Sequence, residues 1–176
     1  MDIEKLTKSV RNVSDFPIPG IQFKDVTTLF KDPFILHEIV EGMYEMYKKK
    51  GITKVVGIES RGFILGPLLA LRLNAGFIPI RKKGKLPAEV FEEAYEKEYG
   101  KDAIQIHQDA INSSDAVLLH DDLLATGGTM QAAVRLIKKF NPRSVNVNFL
   151  IELVDLKGRE GFDSDIQVDS IIKYDI

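Results

Sequence analysis

Two adjacent carboxylates, Asp121 and Asp122, stand just ahead of the segment Ala125-Thr126-Gly127-Gly128-Thr129. Paired glycines let the main chain turn with positive φ and no Cβ in the way, and the threonines add hydroxyl donors. Met130, Val134, Ile137 and Phe140 follow at a spacing near 3.6, which predicts an amphipathic helix. A glycine turn at a helix N-terminus gathers backbone N–H groups and binds phosphate. Acids beside an anion repel it unless sugar hydroxyls lie between, or Mg²⁺ bridges them. A ligand with phosphate at one end and hydroxyls in its middle, a ribose 5-phosphate, meets both halves. A lone Gly-Gly before a helix is an ordinary turn; here four features coincide within the twelve residues Leu118–Thr129.

Elements must hold these groups in place. The apolar run Ala116–Leu119 predicts a buried strand that ends in an acidic turn at Asp121-Asp122. A second strand, Lys54–Ile58, runs into the turn Glu59-Ser60-Arg61-Gly62 and then a helix from about Phe63 to Leu73. A third, Gly76–Ile80, is followed by Arg81-Lys82-Lys83-Gly84-Lys85, four cations in five positions, a loop suited to a polyanion. Ile3, Leu6, Val10 and Val13 predict one short N-terminal helix, and the prolines and glycine of Asp15–Gly20 a loop. Ile21–Thr27 reads as extended, with Phe23 a core residue on type alone. Asp32 and Pro33 open a helix whose apolar face is Ile35, Leu36, Ile39, Val40, Met43 and Tyr47. Val90–Glu96 and Ala103–Gln108, split by Tyr99–Asp102, predict a charged hairpin expected as a mobile flap over the site. Ser144–Leu153 and Asp169–Tyr174 predict strands on either side of a polar turn at Leu156–Arg159. Alternating strands and helices argue an α/β fold, a mainly parallel twisted sheet with helices on both faces. Ligands of such sheets bind beyond the C-terminal strand ends, where all three charged stretches lie.

At 176 residues the chain is expected to form a single domain, 1–176. The net charge of −2 gives no push towards nucleic acid or anionic membrane. The absence of cysteine excludes disulfides, thiolate metal sites and cysteine nucleophiles, and fits a cytoplasmic location. The charged start MDIEKLTKSV does not read as a signal peptide, and the longest apolar stretch, Phe63–Leu73, is too short to span a bilayer.

The stretch LLHDDLLATGGT resembles the phosphoribosyl pyrophosphate (PRPP) signature of the type I phosphoribosyltransferases, most closely its adenine phosphoribosyltransferase branch. FPIPGIQFKDVTTLF, GIESRGFILGP, RKKGKLP, YEKEYGKD and IELVDLKGR resemble further segments of that family, so the similarity covers nearly the whole chain. The resemblance implies the type I phosphoribosyltransferase fold, with a flexible hairpin flap and a small hood from residues 1–30 and the C-terminal region. It implies transfer of the phosphoribosyl group from PRPP to adenine, giving AMP and pyrophosphate, by a cytoplasmic homodimer that uses Mg²⁺ bound with PRPP and no direct protein metal ligand. Residue by residue, it implies that Ala125, Thr126, Gly127, Gly128 and Thr129 hold the 5′-phosphate, with Asp121 and Asp122 facing the ribose. Ser60, Arg61 and Gly62 form the pyrophosphate turn, and Arg61 joins the acids in catalysis. Arg81, Lys82 and Lys85 help hold pyrophosphate, from the neighbouring subunit in one arrangement. Phe23 stacks on adenine, the backbone of Gln22 and Lys24 reads its edge, and the hairpin around Tyr95 closes over the reactants. Two positions depart from the family pattern. His120 replaces an apolar residue and is read as a buried neutral imidazole, the alternative being that it perturbs Asp121. Ala94 stands where family members often carry Ser or Glu, which leaves Glu93 and Glu96 as weak candidates for a proton donor. Alternative readings are a phosphoribosyltransferase for xanthine or for hypoxanthine and guanine, or a PRPP-sensing regulator of the same fold.

Overall fold

The computed structural model describes residues 1–97 and 100–175; the expected hairpin tip at Tyr99 lies outside them. They divide into two compact units, Met1–Met46 and Tyr47–Ile176.

The first unit opens with α1 (Ile3–Ser9), capped by Asp2, whose Oδ1 accepts the Lys5 N–H at 3.0 Å. The sequence reading carried this helix to Val13. Instead Val10 turns to extended angles, and β1 (Arg11–Ser14) pairs antiparallel with β2 (Gln22–Asp25). Cross-strand partners explain the switch: Arg11 binds Asp25 at 2.6 Å and the Asn12 amide donates to Gln22 at 2.7 Å, contacts that a helix could not make. The proline-rich loop between the strands is as expected. After α2 (Thr27–Phe30) comes α3 (Pro33–Tyr47), with Asp32 accepting the Phe34 and Ile35 N–H groups at 2.9 and 3.2 Å. Ile35, Ile39 and Met43 are buried along one face of α3.

The second unit is built on a sheet that, among the described residues, has seven strands. In chain order these are β3 (Lys54–Ile58), β4 (Gly76–Lys82), β5 (Val90–Lys97), β6 (Gly100–His107), β7 (Ala116–Leu124), β8 (Ser144–Leu153) and β9 (Gln167–Tyr174). Their spatial order is β5-β6-β4-β3-β7-β8-β9. Strands β3, β4, β7, β8 and β9 run parallel, and the hairpin β5–β6 joins antiparallel at the edge. Helices α4 (Gly62–Leu73) and α5 (Gly128–Lys138) cover opposite faces. Val56, Ile58, Ile80, Val117 and Leu119 pack with Met130, Ala133 and Ile137 of α5 in the main core. On the other face Phe77 fills the space between Gly57 of β3 and Gly66 of α4. Each fully buried aliphatic side chain contributes roughly 1.5–3 kcal/mol, so this two-sided core fixes the strand ends that face the site.

Two expectations change here. The acid pair is no turn: β7 runs on to Leu124, and Asp121 pairs in register with Phe149 of β8. Leu124 is buried, which favours continuing the ladder over breaking it. The hairpin is also more than a surface flap. Ile104, Ile106 and Tyr95 are buried in the main core, and Phe91 packs edge-on to Phe140 at 5.2 Å.

Candidate active site

The loops after β3 and β7 meet in a cleft of about 230 Å³ lined by Arg61, Asp121, Asp122 and Ala125–Met130. A larger concavity, about 660 Å³, lies at the opposite strand ends, among residues such as Arg143, Ser144 and Gln167, and is lined by none of the sequence candidates. Ligands of parallel sheets bind at C-terminal strand ends, so the smaller cleft is the candidate site.

Its floor is the acid pair. Asp122 is almost fully buried, and its Oδ2 lies 3.0 Å from Arg61 Nε. That contact is one of charge, since Oδ2 has no well-directed hydrogen bond among the described residues. The Asp122 N–H donates to Asp121 Oδ1 at 2.9 Å. Burial, and then the neighbouring charge of Asp122, push the Asp121 carboxyl well above the usual range; burial likewise raises Asp122 against the pull of Arg61. The pair therefore titrates together and resists carrying two negative charges until cations or hydroxyl donors arrive.

The wall is the turn into α5. Gly127 caps the helix with φ +81°, and its C=O accepts the Gln131 N–H at 2.9 Å. The first N–H groups of α5 have no intrahelical acceptor and open the cleft to an anion. Opposite them, Arg61 leads into α4. Gly62 is required by a close approach: a Cβ there would come within 2.7 Å of the His120 carbonyl oxygen. This contact locks the Ser60-Arg61-Gly62 turn against β7.

The basic loop is tied to the turn after β3 through Glu59, which the sequence places with Ser60, Arg61 and Gly62 in the expected anion-binding turn. Glu59 accepts from Lys85 Nζ at 2.7 Å, Arg81 Nη2 at 3.3 Å and the Lys82 N–H at 3.0 Å. Burial works against its charge, but these hydrogen bonds outweigh it and bring the carboxyl down to about 2. The pairing of Ile58 with Ile80 brings residue 59 beside residue 81, a proximity invisible until strand order is known.

Other candidates are distributed elsewhere. Gln22, Phe23 and Lys24 lie on β2 of the first unit. Phe23 packs edge-on to Phe16 at 5.1 Å, and the Gln22 and Lys24 side chains bond to Asn12. The Tyr95 hydroxyl donates to Asp102 at 3.3 Å. Glu93 is tied to Arg135 and Lys139 at 2.8 and 3.0 Å, which holds it ionised and makes it a poor proton donor. The Glu96 side chain lies outside what is described. His120 is fully buried with Nδ1 3.0 Å from Asn148 Oδ1, and burial lowers it to about 4. It is the neutral imidazole expected. Among the described residues no cluster of three or more His, Asp or Glu is arranged to hold a metal, and no helix is long and apolar enough to cross a membrane.

A family model described as the phosphoribosyl transferase domain matches residues 25–174. An adenine phosphoribosyltransferase of Bacteroides thetaiotaomicron is 67% identical over 172 residues, covering 98% of each chain. The crystal structure of adenine phosphoribosyltransferase from Rhodothermus marinus superimposes with a TM-score of 0.92 at 48% identity, covering 98% of both chains. The Saccharomyces cerevisiae enzyme, solved with an imino-altritol bisphosphate and adenine, gives a TM-score of 0.91 at 37% identity, covering 97% of this chain and 98% of that one.

Proposed function

The chain belongs to the adenine phosphoribosyltransferases of the phosphoribosyl transferase family, and from that membership we propose that it joins adenine to the phosphoribosyl group of PRPP, giving AMP and pyrophosphate. The observation that carries this reading is the single cleft in which the buried acid pair, Arg61 and the Gly127 turn face one another. Those parts match the two ends and the middle of a 5-phosphoribosyl ligand.

In the proposed reaction N9 of adenine attacks the anomeric carbon as the bond from that carbon to the pyrophosphate oxygen breaks, and the proton of the adenine ring N–H passes to water or to the departing pyrophosphate. Positive charge develops on the sugar. Asp121 and Asp122 accept the ribose hydroxyls and stabilise that charge. Ala125–Thr129 pin the 5′-phosphate, so the anomeric carbon is presented in one orientation. Ser60, Arg61 and Gly62 receive the pyrophosphate, joined by Arg81, Lys82 and Lys85 once these exchange Glu59 for the leaving group, within one chain or across a homodimer. Phe23 stacks on adenine, with the backbone of Gln22 and Lys24 at its edge, and the hairpin bearing Tyr95 excludes water. Asp122 Oδ2 already faces Arg61 Nε at 3.0 Å, so the acid pair would hold a hard cation arriving with substrate through that cation's own water. Mg²⁺ carried on PRPP would supply positive charge to the departing pyrophosphate. Residues 1–176 work in this reading as one cytoplasmic enzyme domain with a hood from 1–30 and the C-terminal region.

The test is a product assay with PRPP, Mg²⁺ and, separately, adenine, hypoxanthine, guanine and xanthine. AMP from adenine alone supports the reading. A nucleotide from an oxopurine overturns the base assignment, and PRPP binding without any nucleotide product favours a regulator.

A further inference from the structure

The residues that touch substrate in this reading are themselves held from behind. We infer that the turn Gly158–Gly161 is a main-chain backstop for the phosphate loop, and that Gly158 is a positioning residue for the 5′-phosphate. The inference rests on the assignment of Ala125–Thr129 to that phosphate.

Gly158 is buried, and a Cβ on it would lie 2.1 Å from the Ala125 carbonyl oxygen and 3.0 Å from the Thr126 carbonyl carbon. Seen from the other side, a Cβ on Gly127 would lie 2.7 Å from the Gly158 oxygen. The nearest contact is therefore main chain on main chain in both directions; the side-chain atoms beside it, Leu124 Cδ1 at 2.9 Å from the Gly158 position and Gln131 Nε2 at 3.0 Å from that of Gly127, lie further out. Gly161, in the same turn, differs: its Cβ would meet the end of the Gln131 side chain, which can swing away.

The turn is fastened to the sheet by its next residue. Arg159 Nε and Nη2 grip the two carboxylate oxygens of Glu152 at 2.9 and 2.5 Å, and its guanidinium also donates to the Val168 carbonyl and to Ser170 Oγ. The Ser170 hydroxyl donates to the same carboxylate. Glu152 is buried on β8, and Val168 and Ser170 lie on β9. Backstop and phosphate loop thus share one rigid frame.

A phosphate site made of backbone N–H groups works only when those donors converge beforehand. A Gly-Gly loop is by nature the most costly segment to order. If Gly158 supplies that order, enlarging it displaces the loop and weakens every state that carries the 5′-phosphate equally. The signature is a raised KM for PRPP with kcat retained.

The experiment compares wild type, Gly158→Ala, Gly161→Ala and Arg159→Lys by steady-state kinetics, thermal melting and calorimetric titration with ribose 5-phosphate. Gly158→Ala is expected to raise KM for PRPP and the Kd for ribose 5-phosphate at least tenfold, with kcat within threefold and KM for adenine unchanged. Gly161→Ala should stay within twofold of wild type. Arg159→Lys, which keeps the charge but loses the two-pronged grip, should raise both constants three- to tenfold. It decides the matter if Gly158→Ala does not fold. Unchanged ribose 5-phosphate binding in Gly158→Ala or, failing that, in Arg159→Lys overturns the backstop. So does a loss confined to melting temperature. Wild type that binds ribose 5-phosphate yet makes no AMP refutes the proposed function alone; wild type that binds none removes the phosphate assignment and the backstop with it.

Discussion

Asp122→Asn keeps the shape of the side chain and removes its charge. Two opposed effects on stability follow. The lost ion pair with Arg61 costs at most about 1 kcal/mol, because the arginine side chain is 38% exposed and water screens it. Against this, the substitution removes a carboxylate that burial disfavours and that repels Asp121. The net change is within about 1 kcal/mol of zero, a melting shift of no more than about 2–4 °C for a domain of this size. Turnover responds differently. A hydrogen bond to a charged acceptor is worth about 1.5–3 kcal/mol, and each 1.4 kcal/mol is about tenfold in rate. The value of kcat/KM for PRPP should therefore fall roughly 10- to 150-fold. The assay is AMP formation at saturating adenine, alongside thermal melting. A melting loss large enough to account for the activity loss, or full activity, refutes the role given to Asp122. The acid pair also sets a pH dependence. Its raised folded-state pKa means that its contribution to stability is complete below the unfolded value near 3.9 and is lost as pH rises through the folded value. Urea midpoints between about pH 4 and pH 8 should show this decline in wild type and a smaller one in Asp122→Asn.

Glu59→Gln should cost under about 1 kcal/mol at neutral pH, since Arg81 and Lys85 are partly exposed. Because the folded carboxyl titrates near 2, that cost is present above an unfolded value of about 4.3 and shrinks as pH falls towards 2; a pH-independent difference in urea midpoint contradicts the ion-pair account. The His120 ring should remain neutral until about pH 4 in a nitrogen-detected NMR titration, and a midpoint near 6.5 would show that it is not buried as described. Phe23→Ala should raise KM for adenine tenfold or more while leaving KM for PRPP within threefold, and equal changes in both would remove Phe23 from the base site.

Local patterns were enough for most elements. The Asp32-Pro33 start of α3, the strand Lys54–Ile58 and the helix after Gly127 are where propensity, capping and periodicity place them. They are legible because each depends on neighbours within a few residues. The errors lie where partners are distant. Val10 and Val13 suit a helix or a strand equally, and the choice fell to Asp25 and Gln22 on β2. Charged residues at 121 and 122 look like a turn until the β8 ladder beside them is known.

The members of the candidate site were readable from residue types alone: two acids, a glycine turn and an arginine turn, which the structure brings to one cleft. Sequence also determined that these parts lie at the same strand ends, because alternating strands and helices permit few topologies. Only the tertiary structure decided what holds them. Glu59 gathers Arg81 and Lys85 because β3 and β4 are neighbours, and Gly158 supports Gly127 because β8 delivers its following turn behind the loop after β7. These contacts join residues dozens of positions apart through backbone atoms or single charges. They leave no periodic trace in a chain, and appear only when the packing of the sheet sets the distances.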